Sequence, residues 1–240
     1  MTLADRNILI VGGRTGIGQA VVERAHDAGA NLWCASRQPD SSYSDRGVHY
    51  IALDVTADDT SSFASALPEK LHGVVYCPGS ISLKPFRALK PEDFRRDLEL
   101  NLLGAVKILQ ACQAALTAAK GASVVMFSTV ATGAGMNFHT SIAAAKSAVE
   151  GLAVSLAAEW AGQGIQVNVI APSLTDTPLA ERLLGDDKRR EAAADRHPLK
   201  RIGTPHDMAA AVMFLLDIKQ NWMSGQVMRI DGGLSALRPL

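Results

Sequence analysis

The sequence predicts a single-domain α/β fold, a seven-stranded parallel sheet wound by helices on both faces and spanning residues 1–240. Three observations carry it. Short β-branched and apolar runs alternate with longer helical stretches along the chain. The first such run passes through a glycine-rich turn straight into a helix. No linker divides the chain, and 240 residues suit one large α/β unit. Right-handed crossovers between parallel strands then make the sheet doubly wound.

The elements follow in order. Asn7–Val11 is an apolar first strand, and Ile17–Ala28 is the helix after the glycines. Asn31–Ala35 and Val48–Leu53 are the second and third strands, with a helix near 57–67. Gly73–Cys77 is the fourth strand, and a long alanine-containing helix covers 91–118. Ser123–Phe127 is the fifth, followed by a second long helix over 139–162. Gln166–Ile170 is the sixth, a helix covers 204–217, and Gln226–Ile230 closes the sheet. Residues 175–198 mix turn residues with charged helix and are too long for a plain connection. They read as a substrate lid or, alternatively, as a solvated surface excursion.

Composition narrows the function. Lys plus Arg and Asp plus Glu are 24 each, so no basic excess points to nucleic acid. The three cysteines, Cys34, Cys77 and Cys112, lack CxxC spacing and suit a reducing compartment better than disulfides or a metal site. The N-terminus lacks a signal pattern, and no apolar run reads as a membrane span. A cytoplasmic protein with a small-molecule substrate is expected, without nucleic acid or membrane as partner.

Gly12-Gly13-Arg14-Thr15-Gly16-Ile17-Gly18 joins the first strand to its helix. Glycines there let backbone amides approach a pyrophosphate, and the helix N-terminus adds partial positive charge. The bland alternative is a tight strand-to-helix turn. A fold that prefers NAD usually ends its second strand in Asp or Glu, which holds the ribose 2′-hydroxyl. This chain has Ser36-Arg37 there, with Arg14 in the loop. Two guanidiniums suit a 2′-phosphate, so NADP(H) is expected in preference to NAD(H). The alternative is two solvated arginines. Asp54-Val55, ending the third strand, is placed to meet the adenine.

These motifs resemble the short-chain dehydrogenases/reductases, whose Rossmann fold matches the predicted sheet. The resemblance spans essentially all 240 residues. Gly12, Gly16, Ile17 and Gly18 match the family's cofactor loop, and Asp54-Val55 its adenine-contacting pair. Asn101 in Leu100-Asn101-Leu102 matches the helix asparagine supporting its proton relay. Lys146-Ser147-Ala148-Val149-Glu150-Gly151 matches the stretch after its catalytic lysine. Val167-Asn168-Val169-Ile170-Ala171-Pro172 and Asp231-Gly232-Gly233 match its late landmarks. The resemblance further implies that Gly79, Lys146, Pro172, Thr175 and Thr177 face the cofactor.

The chain also departs from the family. Its Asn-Asn-Ala-Gly is Tyr76-Cys77-Pro78-Gly79 here, and its Pro-Gly after the sixth strand is Pro172-Ser173. Its Ser-Ser is Ser128-Thr129, and counting back from Lys146 puts Thr129 at the substrate-orienting serine. The largest departure is Ile142, one helical turn before Lys146, where the family carries its proton-transferring tyrosine. Losing a positioned general acid removes on the order of 10²–10⁴ in rate. His139 precedes Ile142 by three residues and on a continuing helix shares its face. Its unperturbed pKa of about 6.5 suits proton transfer, although it also reads as a helix-entry residue facing water. Tyr76 ends the fourth strand at the right edge of the sheet, and Ser141 offers a nearby hydroxyl. The dienoyl-CoA reductases, a branch of the family, also lack this tyrosine.

Small residues in the two long helices permit close packing between subunits, or simply against the sheet. With Leu234, Leu237 and Leu240 near the C-terminus, a homo-oligomer is expected, a tetramer before a dimer. Three functions compete: a reductase or dehydrogenase with an altered proton relay, a dinucleotide-binding protein with little catalysis, and a non-redox lyase or isomerase.

Overall fold

Strands β1 (Asn7–Val11), β2 (Asn31–Ser36), β3 (His49–Ala52), β4 (Gly73–Tyr76), β5 (Ala122–Phe127), β6 (Ile165–Pro172) and β7 (Val227–Ile230) form one sheet in the order β3-β2-β1-β4-β5-β6-β7. Every pair is parallel. The computed structural model describes residues 2–40, 43, 45–57, 61–217, 219 and 222–238. Alternate residues of each central strand feed two cores. Leu9, Val11, Val74, Val124, Met126 and Val167 pack with Ile108, Leu109, Val149 and Trp160 on one face. Ile8, Ile10, Val75, Val125 and Ile170 pack with Val21, Val22, Met208 and Val212 on the other. Burial of both faces explains why these strands read as continuous apolar runs.

The helices are α1 (Gly16–Asp27), α2 (Ser61–Ser65), α3 (Pro91–Leu98), α4 (Gly104–Ala118), α5 (Ala131–Ala134), α6 (Thr140–Trp160), α7 (Asp187–Asp195) and α8 (Pro205–Leu216). The helix expected over 57–67 is shorter, and its residues 58–60 lie outside the described ones. The helix expected over 91–118 is interrupted by a π turn, Glu99–Leu103. Asn101 sits in that turn, 1% exposed, and its Nδ2 donates to the Asp97 carbonyl at 2.8 Å. The side chain thus bonds a backbone carbonyl at the break, as π bulges near functional sites often require. By length and hydropathy alone, 91–118 and 140–163 would pass for membrane spans, contrary to the reading of the sequence. Both instead lie on the sheet, where they bury Asn101 and Lys146.

Residues 175–198 are not a bare loop. They hold a 3-10 helix, Pro178–Leu183, and α7, around a small cluster of Ala180, Leu184 and Ala193. Arg190 clamps the entry through two bonds to the Asp176 carboxylate, at 2.7 and 3.1 Å. Near the C-terminus Leu237 is exposed, Leu234 is half-buried rather than exposed, and Leu240 lies outside the described residues.

Candidate active site

The strand order reverses between β1 and β4, and ligands of doubly wound sheets bind at that crevice, beyond the carboxyl ends of the strands. The glycine loop leaves β1 there. Gly12 (φ +78°) and Gly16 (φ +58°) adopt a backbone that L side chains rarely reach. A side chain at Gly18 would collide with the Gly12 carbonyl, so the helix packs directly on the turn. Thr15, the N-cap of α1, makes no side-chain cap, which leaves first-turn amides free to face an anion. Pro78 forms the opposite wall: a Cβ on Gly12 would lie 3.3 Å from its ring. The cradle fits a dinucleotide pyrophosphate.

At the adenine end, Arg14 Nη1 donates to Gln38 Oε1 at 2.7 Å, and Ser36 Oγ donates to the Gln38 carbonyl at 2.6 Å. Arg14 is thereby tied to the residue after the exposed Arg37, and Ser36-Arg37-Gln38 contains no carboxylate. Asp54 Oδ1 accepts from the hydroxyl (2.7 Å) and amide (2.9 Å) of Thr56. Those bonds hold its carboxyl below the ordinary range, with smaller help from the Arg37 charge. Val55 is buried, with its side chain and its carbonyl both packed against Gly104 of α4.

At the other end, α6 carries Lys146, which is 7% exposed. Its Nζ donates to the Phe127 carbonyl at 2.8 Å, and burial lowers its pKa from 10.5 to about 8. A Cβ on Gly79 would lie 3.4 Å from that nitrogen and 3.3 Å from Asn101 Oδ1. A side chain there would be tight between them, and Asn101 Oδ1 is buried without a partner among the described residues. A buried cation beside an unsatisfied carbonyl oxygen suits the hydroxyls of a nicotinamide ribose. When bound, the nicotinamide supplies or takes a hydride; Lys146 and Asn101 would hold its ribose.

Thr129 leaves β5 half-buried, with its Oγ1 accepting from the Ala131 amide at 3.3 Å. Ser128 is turned away: its Oγ donates to Glu150 Oε1 at 2.5 Å, and that oxygen also takes Thr132 Oγ1 at 2.8 Å. Ser128 thus ties the strand to α6 rather than facing the crevice. Ile142 is 5% exposed and offers no proton. His139 does not continue the helix as expected. It is the N-cap of α6 (φ −97°, ψ 10°), half-buried, with Nδ1 bonded to the Asn137 carbonyl at 2.7 Å. Tyr76 is excluded as a substitute acid, because its phenol points into the core and donates to the Leu100 carbonyl at 2.6 Å. Burial raises its pKa, and the room for its ring comes from Gly104, where a Cβ would collide with the phenol oxygen. Tyr43 bonds Cys34 and Tyr50 bonds the Ser36 carbonyl, both away from Lys146.

Pro172 accepts from the Val130 amide at 3.0 Å, which registers the end of β6 beside Thr129. Thr175 is buried and bridges to Gly203, and Thr177 lies against Gly16, where a Cβ would come within 3.3 Å. Thr177 and the glycine loop therefore share one wall. Two further polar groups escape the sequence reading. Ser173 has no positive φ; its Oγ meets His197 Nε2 at 2.8 Å, and Nδ1 of that buried histidine meets the Ala193 carbonyl at 2.8 Å. Asp97, 0% exposed, accepts from Ser80 Oγ (2.8 Å) and Ser82 Oγ (3.0 Å).

A doubly wound sheet whose switch point holds a glycine cradle and a buried lysine defines a nicotinamide dinucleotide-binding oxidoreductase. The comparisons agree. The model of the family described as enoyl-(acyl carrier protein) reductase matches residues 11–235. An uncharacterized oxidoreductase of Mycobacterium tuberculosis is 32% identical, over 98% of this chain and 93% of its own. A tropinone reductase homolog of Arabidopsis thaliana is 30% identical, over 98% of this chain and 94% of its own. The structure of a short-chain type dehydrogenase/reductase from Mycobacterium ulcerans superposes with a TM-score of 0.91 at 30% identity, covering 99% of this chain and 92% of that one. The chain belongs to the short-chain dehydrogenases/reductases.

Proposed function

We propose that the protein is an NADP(H)-dependent oxidoreductase of a small carbonyl, alcohol or conjugated enoyl compound, with a proton path that bypasses position 142. The observation that carries the cofactor preference is the 2.7 Å bond from Arg14 to Gln38, which ties a second guanidinium to the residue after Arg37, just past the end of β2. Two forked donors, with no carboxylate within Ser36-Arg37-Gln38, suit a 2′-phosphate. The buried Lys146, with Asn101 Oδ1 unpartnered beside it among the described residues, supports cofactor binding at the nicotinamide end. Ser128 is kept as a support of the strand end and Thr129 as the group that orients substrate. Residues 175–198 would close over the substrate, since Thr177 already touches the glycine loop. The exposed sides of α4 and α6 are the surfaces on which we expect a homo-oligomer, and we place the protein in the cytoplasm.

The competing reading, a dinucleotide-binding protein without turnover, is favoured by Ile142 alone. Titration with NADPH and NADH, followed by assays on ketones, enones and alcohols, separates the two. Tighter NADPH binding with turnover supports the proposal. Tight binding with no turnover across the panel replaces it with the binding protein, and equal or tighter NADH binding removes the cofactor assignment.

A further inference from the structure

Asp97 is the one acidic side chain among the described residues with no exposure at all, and its environment is unbalanced. A carboxylate offers about four acceptor sites. Oδ1 takes two serine hydroxyls, while Oδ2 is buried with no partner. An apolar residue would fill this position on α3 at lower cost, because an uncompensated buried carboxylate is strongly destabilising. Its neighbours lead to the reacting end of the site. Ser80 Oγ accepts from Asn101 Nδ2 at 3.1 Å, and Ser80 follows Gly79, where a Cβ would meet both Asn101 and Lys146. Lys146 feels the Asp97 charge. Two residues beyond Ser82, the Lys84 amide bonds the Phe138 carbonyl at 3.1 Å, which holds this loop against the entry to α6 where Ile142 sits.

We propose that Asp97, acting through Ser82, carries the proton that the absent tyrosine would otherwise carry. The inference rests on the oxidoreductase reading above and names the proton path of that same site. Ser80 is held from both sides, by Asp97 and Asn101. Ser82 has Asp97 as its one hydrogen-bond partner among the described residues, so its lone pairs are free to accept from a substrate hydroxyl. In alcohol oxidation a nicotinamide held by Lys146 and Asn101 would supply the two-electron acceptor for the carbinol hydride. The hydroxyl proton passes to Ser82 Oγ as the Ser82 proton passes to Asp97 Oδ1. The C–H and O–H bonds break, the C=O bond forms, and the substrate loses two electrons that reduce the nicotinamide. Carbonyl reduction is the reverse: the protonated Asp97 returns its proton through Ser82 to the developing alkoxide. Ser82 is the group that touches substrate, and Asp97 acts behind it.

The test uses Asp97→Asn, Ser82→Ala, Ile142→Tyr and the double variant Asp97→Asn/Ile142→Tyr. Turnover is read on ethyl acetoacetate and benzil as ketones and cyclohexanol as alcohol. NADPH affinity and the melting temperature of the cofactor-free protein are measured alongside. Asp97→Asn and Ser82→Ala are expected to lower kcat by ~10²–10⁴, with NADPH affinity unchanged. The pH profile of oxidation should differ in shape between Asp97→Asn and the wild type. The charged groups near Asp97 include Lys146 on α6 and, one turn earlier on α3, Asp93 with its partners Arg96 and the loop residue Lys84. The Lys146 limb, on the alkaline side, should persist. The melting temperature of Asp97→Asn should equal or exceed that of the wild type, because an unpaired buried charge is gone; a merely structural carboxylate predicts a fall. In the double variant, the phenol beside Lys146 should restore reduction. Wild-type kcat and pH profile in Asp97→Asn, or a lowered melting temperature with parallel loss of NADPH binding, overturns the inference while leaving the oxidoreductase reading intact. Turnover by Ile142→Tyr but not by the wild type also overturns it. No turnover by either protein removes the oxidoreductase reading itself, and this inference with it.

Discussion

Lys146 reaches from α6 to the carbonyl of Phe127, the last residue of β5, across 2.8 Å. The bond holds a cation at the open end of the sheet where α6 passes it, with no carboxylate in contact. Burial is what draws its pKa down to about 8, against smaller opposing pulls from Cys77 and Asp97.

The pH dependence of cofactor binding follows. The Lys146 cation predominates below about pH 8 and is lost as pH rises through that value. NADP(H) affinity should therefore fall above pH 8, beyond any drift set by the cofactor's own phosphate. Lys146→Ala should weaken binding by about 1.5–3 kcal/mol, the range for a hydrogen bond to a charged group, and should flatten the profile. Dissociation constants between neutral and alkaline pH check both. Unchanged affinity in the variant would mean that the lysine does not face the ribose.

Cofactor choice should lie with Arg14 and Arg37. Arg37→Ala is expected to cost NADPH roughly 1.5–3 kcal/mol and NADH almost nothing. Gln38→Ala frees Arg14 from its 2.7 Å anchor and should produce a smaller loss of the same sign. Equal losses for both cofactors would assign the arginines to the pyrophosphate or to no contact at all.

Tyr76→Phe should separate structure from chemistry. The phenol donates to the Leu100 carbonyl, so its removal leaves a buried acceptor unmet at a cost of ~1–3 kcal/mol. Denaturant unfolding should record that loss with kcat unchanged. A fall in kcat at full cofactor occupancy would place Tyr76 in the proton path after all.

Asp207 anchors the start of α8. Its carboxylate accepts from Arg201 at 2.6 and 2.9 Å and from the Thr204 amide and hydroxyl, each at 2.8 Å. Arg201 above all holds its pKa below the ordinary 3.8. A depressed carboxyl stabilises the fold above its unfolded pKa, and the contribution fades as pH falls from about 3.8 through the folded value. Asp207→Ala should cost ~1–2 kcal/mol near neutrality, and the gap to the wild type should narrow below pH 3.8. A gap independent of pH would mean that the capping geometry, not the charge, matters.

Much of this was readable from residue order alone, for reasons that particular residues make plain. β1 and β4 are buried on both faces, so Ile8–Val11 and Gly73–Tyr76 had to be apolar throughout. The glycine loop is legible because Gly12 and Gly16 need backbone angles that few other residues accept. The break at Glu99–Leu103 was hidden, because apolar spacing continues across it and its cause is one side-chain bond from Asn101. Asp97 follows Arg95 and Arg96 and looks like part of a solvated helix face. Only the chain's return through Ser80 and Ser82 buries it. Ser173 and His197 are joined across 24 residues by a segment whose fold no local pattern specifies.

The π turn at Glu99–Leu103 sets a rotational phase as well as a break. One residue advances an α-helix by about 100°, so an added residue swings everything before it around the axis relative to everything after. Ile108, Leu109 and Cys112 beyond the turn lie on the sheet. Asp93 and Asp97 before it are buried toward the loop after β4 instead. Removing a single residue from the turn would restore a smooth helix and leave the sheet contacts of α4 in place. It would also carry Asp97 out of its pocket, so this enzyme is vulnerable to a one-codon deletion that ordinary packing would scarcely register.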